Sequence, residues 1–321
     1  MKVLESPARR DEQQLKTSLN PFAASLPTLS SAFWLNGDAG KLRNVWVWGD
    51  ADTSKGVVIL IHGYGEHALR HAHVAEAYAV AGLCVYAADL ASHGENADSK
   101  GFMGCVRLGF DNLYCDAEAL ATEVRTRHPQ PLPLFIHAHS MGGLVGLDLA
   151  LRLQSTDTGF GGVVFSAPAF RLYGKGLVPP ECADVCFFRG LAKFAGLISA
   201  GYWPNPAAPA KEATRVPPKG DKRHFGGMIV AGFGSRLLVE GDMAIARFPD
   251  LTAPFLVTHG DNDKIVRMAG SERLHADAST AADDKTIVRY PGALHELQYE
   301  DNWKDIVATM VGWVEGRLKK L

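Results

Sequence analysis

The feature that most constrains this chain is a set of short, largely apolar runs, each the length of one β-strand, separated by stretches with helical periodicity. Residues 56–61 (Gly-Val-Val-Ile-Leu-Ile) form the first, and 83–88, 132–138, 162–166, 254–258 and 286–290 repeat it. A strand with one wet face alternates apolar and polar side chains. A continuous run suits a strand covered on both faces, as in a parallel sheet. Phe110, Leu113, Ala117, Leu120 and Val124 recur at three- and four-residue steps, as one buried helix face requires. Residues 141–153 and 303–318 read the same way. This alternation predicts a doubly wound α/β sheet.

Two further strands, 32–35 and 43–48, are expected ahead of the first run, with Gly37 and Gly40 as turn residues between them. Residues 1–30 are polar, carry Pro21 and Pro27, and read as a tail. From residue 170 to about 245 the rhythm breaks and no strand is predicted. Phe187, Phe188, Leu191, Phe194, Leu197 and Ile198 make a greasy helical stripe, and a second apolar helix is expected over 228–238. An insertion of that length predicts a lid. The division expected is a tail (1–30), a core in two parts (31–168 and 246–321) and a lid between them (169–245).

A length of 321 residues, 47% of them hydrophobic, fits one large α/β domain with such an insertion. A formal charge of -2 and the absence of a basic block disfavour a nucleic-acid partner. The cysteines, Cys84, Cys105, Cys115, Cys182 and Cys186, are odd in number and form no disulfide framework, which suits a reducing, cytoplasmic interior. Cys182 and Cys186 lie one helical turn apart and read as packing residues. The first residues are too polar for a secretory signal, and no apolar run approaches a membrane span. The greasy stripe would allow peripheral contact with a membrane.

A serine hydroxyl becomes a competent nucleophile only with a base in reach, and the base needs an orienting acid. Ser-x-Gly alone proves little and recurs at Ser92, Ser99 and Ser199. Only Ser140 stands between an apolar strand and an apolar helix, with Ala138 and Gly142 as small residues on either side. The competing reading is a serine that merely caps a helix. An oxyanion hole needs two backbone N–H groups. The residue after the nucleophile, Met141, offers one. The loop after the first strand, His62-Gly63-Tyr64-Gly65-Glu66-His67, offers another at Tyr64.

Where a nucleophilic serine sits on a strand-to-helix turn of an α/β sheet, the acid and then the histidine follow it in the chain. After residues 254–258 come Asp261 and Asp263; Asp263 precedes an apolar pair that could pin it, and Asp261 is the fallback. After residues 286–290, His295 alone among twelve histidines follows serine and acid and sits past a strand end. His67, His71 and His73 lack the His-Glu-x-x-His order of a zinc site and read as a helix start facing solvent, so neither metal nor cofactor is expected.

These residues resemble the monoglyceride lipase and lysophospholipase family of α/β hydrolases. The likeness rests on His62-Gly63-x-Gly65-Glu66-His67, Asp89-x-x-x-His93-Gly94, His139-Ser140-Met141-Gly142-Gly143, Gly260-x-x-Asp263 and His295-Glu296-Leu297 with Glu300. It covers the chain from about residue 56 onward. It implies an α/β-hydrolase fold with a helical lid, a Ser140–Asp263–His295 triad, oxyanion donors at Tyr64 and Met141, and Glu66 and Arg70 beside the polar alcohol of a glyceride. Monoacylglycerol or lysophospholipid is the implied substrate. The sequence departs from the family's pattern at Ala138, where glycine is usual, at Tyr64, where a smaller residue is common, and at Ala91-Ser92, where Arg-Gly is common. A peptidase, a thioesterase or an acyltransferase on the same scaffold, or a non-catalytic ligand-binding relative, are the competing readings. Epoxide and haloalkane chemistry would want a carboxylate in place of Ser140.

Overall fold

The computed structural model describes residues 4–5, 29–36, 42–96, 110–128, 132–172, 202–203, 221, 223–224 and 229–321. The apolar runs become strands β4 (Val57–Ile61), β5 (Cys84–Ala88), β6 (Leu134–His139), β7 (Phe160–Ser166), β10 (Phe255–Gly260) and β11 (Lys285–Tyr290). Preceding them are β1 (Leu4–Glu5), β2 (Leu29–Asn36) and β3 (Leu42–Trp48). Together they form one sheet in the order β1-β2-β3-β5-β4-β6-β7-β10-β11. From β5 to β11 every neighbouring pair is parallel, while β1, β2 and β3 pair antiparallel at one end.

Among the described residues six α-helices accompany the sheet: α1 (Ala72–Val80), α2 (Asp111–Arg127), α3 (Met141–Thr156), α4 (Ala231–Ala246), α5 (Met268–Asp277) and α6 (Trp303–Leu318). The strand pleat sorts their contacts. Val57, Ile59 and Ile61 face a core built with Leu113, Leu120, Leu144, Val145 and Leu274. Val58 and Leu60 face the opposite layer, among Val74, Tyr78, Ile306 and Met310. All five β4 residues are buried, which is why their run carries no polar alternation.

The topology also places the site. β4 has β5 on one side and β6 on the other, so the order reverses direction between them. Loops leaving the carboxyl ends of adjacent parallel strands diverge at such a point and leave a crevice.

The structure corrects several expectations. β1 pairs with β2, Leu4 opposite Trp34, and β2 begins at Leu29, so the tail is not wholly separate from the sheet. Two-residue strands β8 (Tyr202–Trp203) and β9 (Ile229–Val230) pair with each other inside the region where no strand was expected. Strands that short leave no apolar run to detect. The helix expected over 228–238 starts at Ala231 and continues to Ala246, with Phe233, Leu237, Glu240 and Ala244 on its buried side. β11 lies at the sheet edge and is only partly buried, which accounts for Thr286 and Arg289 in its run. Cys84 is buried in β5 as expected. Cys105, Cys182, Cys186 and the stripe from Phe187 to Ile198 lie outside the described residues. No described helix is long and apolar enough to cross a membrane.

Candidate active site

β6 delivers Ser140 and α3 begins at the next residue. The turn between them forces Ser140 to φ 53° and ψ −120°, a left-handed conformation that costs a side-chain-bearing residue of order 1–3 kcal/mol. Hydrogen bonds over-determine it. Ser140 N–H donates to Ser166 O at 3.0 Å, and the N–H groups of Gly143 and Ala169 both donate to Ser140 O at 2.8 Å. Its hydroxyl makes no helix-capping bond. Instead Ser140 Oγ lies 2.8 Å from His295 Nε2.

Glycines make the turn sterically feasible. A Cβ at Gly142 would stand 2.5 Å from Ile61 O and 2.6 Å from His62 O, and one at Gly143 would stand 2.5 Å from Pro168 Cβ. The start of α3 is therefore pressed against the end of β4. A Cβ at Gly146 would meet Ala138 Cβ at 2.6 Å. The alanine before the elbow is tolerated because the helix residue facing it is glycine, a compensation that sequence reading missed.

The loop after β4 folds around Glu66. Gly63 N–H donates to Glu66 Oε2 at 2.9 Å, and a Cβ at Gly63 would stand 3.0 Å from both that oxygen and Ser140 Cβ. Gly65 takes φ +73°, open to glycine without strain. His62 braces the loop from beneath. Its Nε2 accepts from Leu90 N–H at 3.0 Å, so its Nδ1–H donates to Gly63 O at 2.8 Å. The Tyr64 ring stacks on Phe233 of α4 at 5.4 Å and meets His93 edge-on. Met141, first residue of α3, keeps an N–H that no carbonyl of its own helix can reach.

The two aspartates separate cleanly. Asp263 Oδ2 lies 2.7 Å from His295 Nδ1, while Oδ1 accepts the N–H groups of Ile265 and Val266 at 2.7 and 2.9 Å. Asp261 is exposed and accepts Gly292 N–H at 2.6 Å, pinning the loop that carries His295. That loop lies against β10 at Gly260, where a Cβ would stand 2.4 Å from Ala293 O.

Burial and charge compete at each group. Burial alone would raise the Asp263 carboxyl, but His295 and His259 hold it well below the usual carboxylate range. Burial would lower His295, yet the charge and hydrogen bond of Asp263, with Glu296 and Glu66 further off, leave it raised above 6.5. Beside it, 5.1 Å between ring centroids, burial drives His139 down to about 3, so the neighbouring imidazole stays neutral.

Glu66 and Arg70, which the resemblance suggested beside an alcohol, are 3% and 2% exposed and already have protein partners. Glu66 Oε2 also bonds His71 Nε2 at 3.0 Å, and Arg70 pairs with Glu296 at 2.8 Å while its guanidinium lies over the Tyr299 ring. Burial opposes both charges, but the contact with His71 and the charge of Arg70 keep Glu66 ionised, and Glu296 foremost keeps Arg70 protonated. The expectation that His67, His71 and His73 face solvent is wrong: they are 0%, 1% and 7% exposed. His67 Nε2 pairs with Asp221 at 2.8 Å and His73 Nε2 donates to Gln298 O at 2.9 Å. Spacing gave no sign of this, because the partners lie up to 225 residues away. Among the described residues no group of three or more His, Cys, Asp or Glu is arranged to hold a metal.

A serine on a left-handed strand-to-helix turn, at the carboxyl edge of a parallel sheet beside its switch point, defines the α/β-hydrolase class. Residues 52–302 match the profile of the family described as Serine aminopeptidase, S33. The chain is 32% identical to a monoacylglycerol lipase of Mycolicibacterium smegmatis over 87% of this chain and 95% of that one. It is 27% identical to the caffeoylshikimate esterase of Arabidopsis thaliana over 83% of this chain and 79% of that one. The solved structure of a monoacylglycerol lipase from Paleococcus ferrophilus superposes with a TM-score of 0.67 at 26% identity, covering 86% of this chain and 99% of that one. The chain belongs to this family of α/β hydrolases and is itself a hydrolase.

The contact between Gly146 and Ala138 is directly testable. Gly146→Ala should cost about 1–3 kcal/mol of stability by overpacking. Adding Ala138→Gly should recover part of that loss in a denaturant titration, whereas strictly additive costs would mean that the two sites do not touch.

Proposed function

We propose that this hydrolase cleaves carboxylic esters of lipids, with monoacylglycerol or lysophospholipid as substrate, through an acyl-enzyme on Ser140. The observation that carries the reading is the contact order at the rim of the sheet. Ser140 Oγ stands 2.8 Å from His295 Nε2, and His295 Nδ1 stands 2.7 Å from Asp263 Oδ2. His295 takes the Ser140 proton as Oγ attacks the ester carbonyl. Asp263 fixes the imidazole with Nε2 toward the serine and stabilises the imidazolium that forms. The N–H groups of Met141 and Tyr64 receive the oxyanion. The alcohol leaves with the proton from His295, and water, deprotonated by the same base, releases the acid.

The lipid assignment draws on the similarity to monoacylglycerol lipases and on the apolar make-up of residues 169–245, which we assign as a lid. Its helix α4 brings Phe233 onto Tyr64 and, at 5.7 Å, onto Phe110, so an aromatic wall stands directly over the loop after β4. Each methylene buried against such a wall gains about 0.8 kcal/mol. Lid contact with a membrane surface would present long-chain substrates to the site, and co-sedimentation with phosphatidylcholine vesicles reads it.

Ser140→Ala should lower ester hydrolysis by at least about a thousandfold and abolish labelling by a fluorophosphonate probe; turnover that survives the substitution rejects the nucleophile. Across monoacylglycerols of rising chain length, kcat/KM should climb with each added pair of methylenes until the pocket is filled. A flat or falling series rejects the lipid reading in favour of a small ester. His295 must be neutral to accept the proton, and its pKa is raised, so the neutral form is lost as pH falls through a value above 6.5. The acid limb of kcat/KM should therefore lie above 6.5, and an acid limb at or below the ordinary histidine value contradicts the electrostatics of the pair.

A further inference from the structure

Asp263 has a second imidazole on it. His259, the next-to-last residue of β10, points its Nε2 at Asp263 Oδ2, 3.2 Å away, and both side chains are at most 1% exposed. On the far side of the ring, Nδ1 lies 2.7 Å from the Ser271 hydroxyl, which α5 buries completely. The surroundings settle the tautomer. Nε2 faces only acceptors, the Asp263 carboxylate and, at 3.4 Å, the carbonyl of Val266, so it carries the proton. In the neutral ring Nδ1 is then the acceptor, and the Ser271 O–H donates to it.

We propose that His259 and Ser271 are positioning residues for the hydrolytic reaction, forming with Asp263, His295 and Ser140 one hydrogen-bonded line of five side chains from α5 to the nucleophile. The inference rests on the assignment of Ser140 and His295 above. Asp263 accepts four donors: two backbone N–H groups on Oδ1, and one imidazole on each side of Oδ2. The backbone pair fixes the plane of the carboxylate. The His259 donor fixes which face Oδ2 turns to His295 and disperses its negative charge. A carboxylate oxygen shared between two N–H donors is a weaker acceptor for either one. His259 thereby tempers the charge that raises His295, and the base stays basic enough to take the serine proton without being held protonated. Ser271 acts one step further out. Without its O–H the imidazole of His259 can take the other tautomer, which turns a lone pair toward the carboxylate.

The groups that face the pair from every side are few. Glu296 and Glu66 act on His295, and His139 packs against its ring. His259 and His295 are the groups acting on Asp263. Substituting His259 changes none of the others, so a shift in the titration of His295 reports on the shared oxygen.

The test compares His259→Phe, His259→Gln and Ser271→Ala with the unaltered protein, reading the pH profile of kcat/KM, kcat and KM separately, and thermal stability. Glutamine can place an amide N–H where Nε2 stands; phenylalanine cannot. His259→Phe should move the acid limb upward by about half to one pH unit and lower kcat about tenfold, with KM little changed. Ser271→Ala should move the limb in the same direction by less. His259→Gln should return the limb toward the unaltered position. An acid limb that stays put in His259→Phe, or moves equally in His259→Phe and His259→Gln, overturns the proposal, because a merely structural role would change stability and leave the titration alone. If His259→Phe does not fold, Ser271→Ala against His259→Gln decides by the same criterion. Ser140→Ala run alongside separates the failures: activity surviving in it sinks the catalytic reading itself, whereas an unmoved acid limb sinks only the roles of His259 and Ser271.

Discussion

The left-handed turn at Ser140 is the constraint on which the site depends. A residue with a side chain holds φ 53° only where its surroundings leave no alternative. Here three backbone hydrogen bonds, from β7, from the first turn of α3 and from the segment after β7, close on one residue. The close approach of α3 to β4 follows from the same turn, since Gly142 backs directly onto the carbonyls of Ile61 and His62. The loop carrying Tyr64 lies against the same turn, since a Cβ at Gly63 would stand 3.0 Å from Ser140 Cβ. Loosening any of these contacts would move the Ser140 hydroxyl away from His295 and from the loop after β4.

The loops after β4 and β11 bury a group of polar side chains. Arg70 stands between Glu66 and Glu296, and His71 bonds the other oxygen of Glu66. The arrangement resolves the desolvation problem of each member by its neighbours, as burial of charge requires. It ties the loop after β4 to the segment after His295 by a bridge from Arg70 to Glu296. The two loops that flank Ser140 are thereby held to each other as well as to the sheet. His67 extends the connection to Asp221, inside the long insertion.

Much of this was legible from residue order. The parallel strands were readable because β4, β5, β6, β7 and β10 are covered on both faces, so burial leaves an uninterrupted apolar run. Ser140 was readable because a strand, a turn of small residues and an apolar helix follow one another without a gap. Other parts were not. α5 buries only Gly270, Ser271 and Leu274, too sparse a stripe to reveal a helix by periodicity. The buried state of His67, His71 and His73 depends on carboxylates and a carbonyl from distant segments, and a histidine run looks the same whether it meets water or an ion partner. The loop of His295 reaches both candidate aspartates, its backbone meeting Asp261 at Gly292 and its imidazole meeting Asp263, and no local pattern tells the two apart.

The sequence by itself determined the layered α/β architecture, the strand ends at which function would gather and the serine at the elbow, because hydrophobic periodicity and glycine placement are local and survive in one dimension. Only the tertiary structure decided which aspartate meets the imidazole, that Gly146 makes room for Ala138, and that His259 and Ser271 stand behind Asp263. Those outcomes are set by distances of a few ångströms between residues far apart in the chain, and no local pattern encodes the direction in which a loop at a strand end will turn.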